Sequence, residues 1–251
     1  MKMKNMLIGG MSLALVACIS IGGTLAYLTD KTGNVTNTVK FTTNGIDLTL
    51  TETSNSDEAG EKKGQTVTEG YGIDYIDVVP GADLDKQPVL TVEKNNVDCY
   101  VYALVTGIDE NTDKVMYTKW DNTSWEVVST AGLVTAADKQ FPEDAVLLRY
   151  KGEENGGVVV TNSTETKLPA IFTTVTINDN LEYDAESASW KLNGDDVTMD
   201  VVDGNKLADS IVIKGYAIQA DNLTTTTTET TAVQVANKEA ANAFAVAKTE
   251  P

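Results

Sequence analysis

Histidine is absent from this 251-residue sequence. Its absence excludes the Ser-His-Asp and Cys-His nucleophile systems, the usual imidazole general base and every zinc site that uses histidine. The sequence also contains no P-loop, no G-x-G-x-x-G, G-x-S-x-G or H-E-x-x-H motif and no EF-hand loop. We therefore predict that the protein is not an enzyme and uses neither a metal nor a cofactor.

Cysteine is nearly absent, with only Cys18 and Cys99 in the whole chain. If Cys18 is removed during export, no internal disulfide can form and stability must come from the hydrophobic core. Cys99 lies in the apolar segment 97–105, and strand alternation places it on one face with Val97, Val101, Ala103 and Val105. This pattern predicts a buried and unreactive thiol.

Basic residues are few: 19 against 37 acidic ones, a net charge of −18. Lys2 and Lys4 are the only charges before Asp30, so a chain without residues 1–26 carries 17 − 37 = −20. Such a surface repels nucleic acid and anionic lipid, and we expect neither as a partner. Three acidic pairs are expected to lie in solvated turns, with a weak Ca²⁺ site as the alternative: Asp83 and Asp85, Glu153 and Glu154, and Asp195 and Asp196.

The N-terminal segment has the features of an export signal. Lys2 and Lys4 precede a run without charge that extends to Thr29. A basic start, an apolar run and small residues at a cut site characterise secretory signals. The ending Thr24-Leu25-Ala26 predicts a signal helix over residues 1–26 and cleavage between Ala26 and Tyr27.

Two other outcomes for this segment remain open. The uncharged run is long enough to span a bilayer, so it could be retained as an anchor. Residues 15–18, Leu-Val-Ala-Cys, have the form of a lipobox, in which Cys18 would be lipidated. Because the residues after Cys18 continue the apolar run, we favour cleavage after Ala26. Contact with the membrane is then expected only through the signal segment.

The body of the chain reads as an all-β domain. Ile46, Leu48 and Leu50 alternate with polar residues, as in a strand with one face toward a core. Residues 97–106 are apolar on both faces, which predicts a central strand. Some ten to twelve short strands separated by turn residues indicate an antiparallel sandwich, with hairpins expected around residues 121–123 and 153–157.

Composition divides the chain into four parts. After the signal, residues 27–40 form a polar N-terminal arm, and residues 41–223 form the predicted sandwich domain. Residues 224–251 begin with an unbroken threonine run and continue as an alanine-rich segment with apolar residues at helical spacing. We predict a linker followed by a short C-terminal helix, which docks either on its own domain or on a neighbour.

Several segments together resemble a known family. Residues 23–30, Gly-Thr-Leu-Ala-Tyr-Leu-Thr-Asp, resemble the junction in substrates of the dedicated SipW-type signal peptidase. The segments 41–50, 79–83, 99–105 and 211–219 resemble strands and a turn of the same proteins, the TasA/camelysin (CalY) family of Gram-positive bacteria. The resemblance covers both ends of the domain well and the middle poorly.

The resemblance implies a jelly-roll-like β-sandwich that is secreted to the extracellular matrix or cell surface. It implies a SipW-type peptidase as the partner during export and self-association into biofilm fibres. In such fibres the mature N-terminal segment adds a strand to the next subunit, which is β-augmentation. Carried over to this sequence, the donor arm runs from Tyr27 to about Phe41, and its apolar residues are Tyr27, Leu28, Val35, Val39 and Phe41.

Two further hypotheses compete with the fibre subunit. A monomeric surface adhesin or carbohydrate-binding module would use exposed aromatic rings such as Trp120, Trp125 or Tyr150. A camelysin-like metallopeptidase is the third hypothesis, and the lack of histidine argues against it because zinc would have to rely on carboxylates and Cys99.

Overall fold

The computed structural model describes residues 29–31, 46–68, 70, 72–94, 97–152, 155–159, 164–187, 189–197, 200–202, 206–208, 210–226, 228–229 and 231–248. The predicted signal helix lies outside these residues. The strands are β1 Thr29–Lys31, β2 Leu48–Thr53, β3 Thr66–Thr68, β4 Asp83–Asp85, β5 Gln87–Val92, β6 Cys99–Thr106, β7 Met116–Thr118, β8 Trp125–Val127, β9 Lys139–Gln140, β10 Ala145–Tyr150, β11 Val158–Val159, β12 Thr166–Lys167, β13 Thr174–Ile177, β14 Leu181–Asp184, β15 Ser189–Leu192, β16 Asp195–Asp196, β17 Asp200–Val202, β18 Lys206–Ala208, β19 Val212–Gln219 and β20 Val246–Ala247. In this described part of the chain, helix α1 spans Ala232–Phe244, and short 3₁₀ segments span Asp57–Lys62 and Asn155–Gly157.

The largest sheet, sheet A, has the order β1-β19-β6-β10-β8 and is antiparallel throughout. Strand β6 lies at its centre because its residues are apolar on both faces, and seven of its eight residues are buried. One side of β6 pairs with β19 along its whole length. The other side pairs with β10 at residues 102–106 and with β11 at residues 99–100.

Two smaller antiparallel sheets cover one face of sheet A. Sheet B has the order β12-β5-β2-β3, and sheet C has the order β4-β13-β7. The main core lies between these layers: Val101 and Ala103 of sheet A share it with Leu90 of sheet B and Val175 of sheet C, all four fully buried. The predicted all-β, sandwich-like fold is confirmed, and its layers bury the alternating apolar residues of each strand.

Helix α1 covers the opposite face of sheet A. It begins at a capping box, in which the Thr231 side chain accepts a hydrogen bond from the Gln234 backbone N–H and the Gln234 side chain accepts one from the Thr231 N–H. Ala236, Ala240 and Ala241 are fully buried against the sheet. The predicted C-terminal helix is therefore confirmed, and it packs on its own domain. Within the described ranges, no helix has the length and apolar character needed to cross a bilayer.

Both predicted hairpins are wrong. The strands on either side of residues 121–123 are β7 and β8, but β7 pairs with β13 of sheet C while β8 pairs with β10 of sheet A. The strands around residues 153–157 are β10 and β11, and both pair with β6 instead of with each other. In each case pairing with a buried, distant strand outweighs the local turn signal.

Candidate functional site

The candidate site is built on strand β19. Four consecutive residues, Gly215, Tyr216, Ala217 and Ile218, are buried. Ala217 faces the main core, whereas Tyr216 and Ile218 belong to the cluster beneath helix α1. Because both faces of the strand are covered and one edge is paired with β6, only its outer edge is left for a further strand.

Strand β1 occupies part of that outer edge. It pairs antiparallel with β19, with Thr29 opposite Ile218, Asp30 opposite Ala217 and Lys31 opposite Tyr216. The paired segment begins two residues after Tyr27, the first residue of the predicted mature chain. β1 opposes only three of the eight residues of β19. The segment next to the predicted cut therefore forms a short edge strand of the main sheet.

The predicted cleavage and donor-arm residues mostly lie outside the described part of the chain. This applies to the cleavage residues Ala26 and Tyr27 and to the donor residues Leu28, Val35, Val39 and Phe41. What the structure does place is the stretch Thr29–Lys31, which lies between two of the donor residues. The cleavage site and the complete arm remain predictions.

The face of β19 next to helix α1 is held by aromatic contacts. The Tyr216 ring meets the Phe244 ring edge to face, with centroids 5.9 Å apart. On the neighbouring strand, the Tyr102 hydroxyl donates a 2.8 Å hydrogen bond to Asn237 Oδ1, and burial raises the pKa of Tyr102, so the hydroxyl keeps its proton. These contacts hold helix α1 against β6 and β19.

The aromatic residues of the adhesin hypothesis are not exposed as that hypothesis requires. Trp125 is fully buried and its Nε1 donates a 3.2 Å hydrogen bond to the Pro169 carbonyl. Its ring packs edge to face on Tyr150, which is half-buried. Trp120 is 5% exposed and packs on Phe172 in the same way. These tryptophans belong to the core and form no platform for a sugar.

The acidic pairs that the structure describes show no arrangement for a cation. The Asp83 carboxylate accepts a hydrogen bond from Thr176, and Asp85 accepts one from the Asn55 backbone and one from Gln87. Asp195 and Asp196 are exposed in β16, and Glu153 and Glu154 lie outside the described residues. Among the residues that the structure describes, no group of three or more His, Cys, Asp or Glu side chains is placed to hold a metal ion.

Cys99 has the environment predicted for it. It is fully buried in β6 and shares the core with Val101, Ala103 and Val105. Burial raises the pKa of its thiol to about 12, and Asp98 adds to the shift. At neutral pH the thiolate, which is the reactive form, is therefore scarcely populated.

One buried charged pair was missed by the sequence reasoning. Lys86 Nζ lies 2.5 Å from Glu52 Oε1, with side-chain exposures of 6% and 15%. Glu52 follows Leu48 and Leu50 in the alternation of β2. Lys86 directly precedes β5 and lies an even number of residues before its buried Leu90 and Val92. Opposite charges that continue the inward alternation of β2 and β5 are the signal that could have revealed the pair.

No protein-family model matches this chain, and comparisons with curated proteins and with solved structures give no match either.

Proposed function

We propose that this protein is an exported structural subunit of an extracellular fibre, in which the N-terminal arm of one subunit adds a strand to the next. The observation that carries the proposal is the pairing of Thr29–Lys31 with the outer edge of β19. The features of an export signal before residue 27 and the resemblance of residues 23–30 to SipW-type junctions also support it.

A short edge strand is well suited to exchange between subunits. Three paired residues contribute few main-chain hydrogen bonds, each with a net value of about 1 kcal/mol. A longer arm that enters from another subunit makes more of these bonds along the same edge, and its alternating side chains set the register. The intramolecular pairing then protects the edge of the monomer until a second subunit supplies its arm.

The register of β1 defines how far a donated arm would extend. Because the two strands are antiparallel, the residue numbers of each opposed pair have the same sum, 247, as for Thr29 and Ile218. In the same register, residues 28–35 of a donor would lie opposite the whole of β19, Val212–Gln219. Leu28 and Val35 would then mark the two ends of the donated strand. This narrows the proposed donor from residues 27–41 to its first part.

Export and charge agree with this role. A new N-terminus at Tyr27 frees the arm two residues before the paired stretch, whereas an uncleaved signal would hold the arm at the membrane. The mature charge of −20 keeps subunits dispersed, so that they associate through a specific edge instead of through general aggregation. The proposed role involves no catalysis.

Proline substitutions in β1 test the strand donation. Adjacent residues of an antiparallel strand alternate between hydrogen-bonded and non-hydrogen-bonded positions, so two consecutive prolines remove a ladder bond in either case. In a chain that begins at Tyr27, we expect Thr29→Pro with Asp30→Pro to raise the concentration needed for filaments by roughly tenfold or more. Negative-stain microscopy over a concentration series measures this.

The matched control replaces the same two residues with alanine, which shortens the side chains and keeps both N–H groups. We expect this control to form filaments at nearly the concentration of the unaltered chain. Equal filament formation by the proline and alanine variants would rule out donation through β1. Circular dichroism of both variants confirms that the domain remains folded.

A further inference from the structure

The contact between Lys86 and Glu52 has unusual geometry for an ion pair. Nζ lies 2.5 Å from Oε1, yet Oε1 is inaccessible to solvent and has no aligned hydrogen-bond donor among the described residues. A C=O bond measures about 1.23 Å, so Nζ lies within about 3.7 Å of the carboxyl carbon Cδ. That is close to the distance of about 3–3.5 Å at which well-oriented groups react.

The pair is largely buried, with side-chain exposures of 6% for Lys86 and 15% for Glu52. The Tyr75 ring centroid lies 5.7 Å from Lys86 Nζ, and Ser54, two residues after Glu52, is fully buried. The nearby Asp85 carboxylate is occupied by hydrogen bonds of 2.7 Å from the Asn55 backbone N–H and from the Gln87 side chain. Glu52 is therefore the carboxylate that Lys86 meets.

We propose that Lys86 and Glu52 condense into an intramolecular isopeptide bond between Nζ and Cδ. The proposal is independent of the fibre function. Contact in a fixed orientation makes such a reaction effectively unimolecular, with effective concentrations that reach about 10⁵ M and above for well-placed groups. The bond would join β2 directly to the segment between β4 and β5.

The reaction needs no other reactant. A proton passes from the ammonium to the carboxylate, and the neutral amine attacks Cδ of the resulting carboxylic acid. The C–N bond forms, the C–OH bond breaks, and the hydroxyl leaves as water with a proton from the nitrogen. Burial lowers the pKa of Lys86, partly offset by Glu52, and so favours the neutral amine that the attack requires.

Condensation also removes a burial cost. Two charges taken out of water carry a large desolvation penalty, whereas the product is a neutral amide. A covalent link between residues 52 and 86 would restrict the unfolded chain, as a disulfide does. The only cysteine in the described part of the chain is Cys99, which is free, so this bond would take the role that disulfides have elsewhere.

The intact mass of the purified folded chain tests the proposal. We expect a deficit of one water molecule from the mass calculated for its determined N-terminus. Trypsin should yield a branched peptide that joins residues 41–62 to residues 64–94, because cleavage after a modified Lys86 is blocked. Glu52→Ala should restore the full mass. Lys191→Ala should keep the deficit. It removes another lysine–carboxylate ion pair, in which Lys191 Nζ lies 2.9 Å from Asp184 Oδ2 and both side chains are more exposed than those of Lys86 and Glu52.

A folded wild-type chain at its full calculated mass would overturn the proposal, as would free peptides 41–62 and 64–86 in its digest. Both results are measured on the wild-type chain, so they hold whether or not the Glu52→Ala variant folds. A mass deficit located at any residues other than Lys86 and Glu52 would also refute it.

Discussion

Gly107→Ala should strongly destabilise the domain, by roughly 3–5 kcal/mol in the free energy of unfolding. Gly107 follows β6 directly and has φ +83°, in the left-handed region. A methyl group there would overlap the Ser210 carbonyl oxygen and lie 3.5 Å from the Ile211 Cα. The backbone at Gly107 and the backbone at Ser210 and Ile211 cannot move apart without separating β6 from β19. The cost therefore combines torsional strain with overpacking. Urea unfolding at equilibrium gives the value.

Gly132→Ala is the matched control. Gly132 has a similar φ of +75°, but an added Cβ would meet nothing within 4 Å. The control therefore measures torsional strain alone, for which we expect about 1–2 kcal/mol. Equal losses for the two variants would mean that the β6–β19 junction is less tightly packed than described.

Trp125→Ala should cost about 3–5 kcal/mol of unfolding free energy, the usual range for a large aromatic side chain removed from a core. Trp125 is fully buried and donates a hydrogen bond to the Pro169 carbonyl, and its ring centroid lies 5.6 Å from that of Tyr150. The substitution leaves a cavity and an unpaired carbonyl group. A fall in the urea midpoint at unchanged slope would measure this loss.

Trp190→Ala provides the comparison within the same chain. Trp190 is half-buried in the β14–β15 hairpin and packs on Tyr183, which is 36% exposed. We expect a loss of about 1–2 kcal/mol, from the ring contact and the smaller buried area. If Trp125→Ala were no more costly than Trp190→Ala, Trp125 would not be a core residue and the adhesin hypothesis would regain support.

The elements that sequence predicts best are those with strong local signals. β6 is apolar on both faces, and the alanine-rich segment of α1 has apolar residues at helical spacing. For both elements the local pattern and the tertiary environment favour the same structure, and both are present in the fold.

Strand pairing could not be predicted in the same way. The turn residues between β7 and β8 favour a hairpin, but the two strands enter different sheets because their buried side chains complete different parts of the core. The ion pair of Lys86 with Glu52 depends on the register of β2 against β5, which the sequence does not specify alone.

Of the candidate site, the sequence predicts the arm but not its place. The polar segment after Ala26 suggests a mobile donor, whereas the stretch Thr29–Lys31 is a paired strand on β19. A three-residue strand carries too little pattern to be recognised from sequence, and its pairing joins positions far apart in the chain. The position of the arm on the outer edge of β19 follows only from the strand order of sheet A.

N-terminal sequencing and electron microscopy of one sample of the exported protein test the fibre proposal most directly. We predict a chain that begins Tyr27-Leu28-Thr29-Asp30 and forms filaments as its concentration rises. A chain that begins at Tyr27 and remains monomeric at every concentration would contradict the account, and so would a mature chain that begins at a lipidated Cys18.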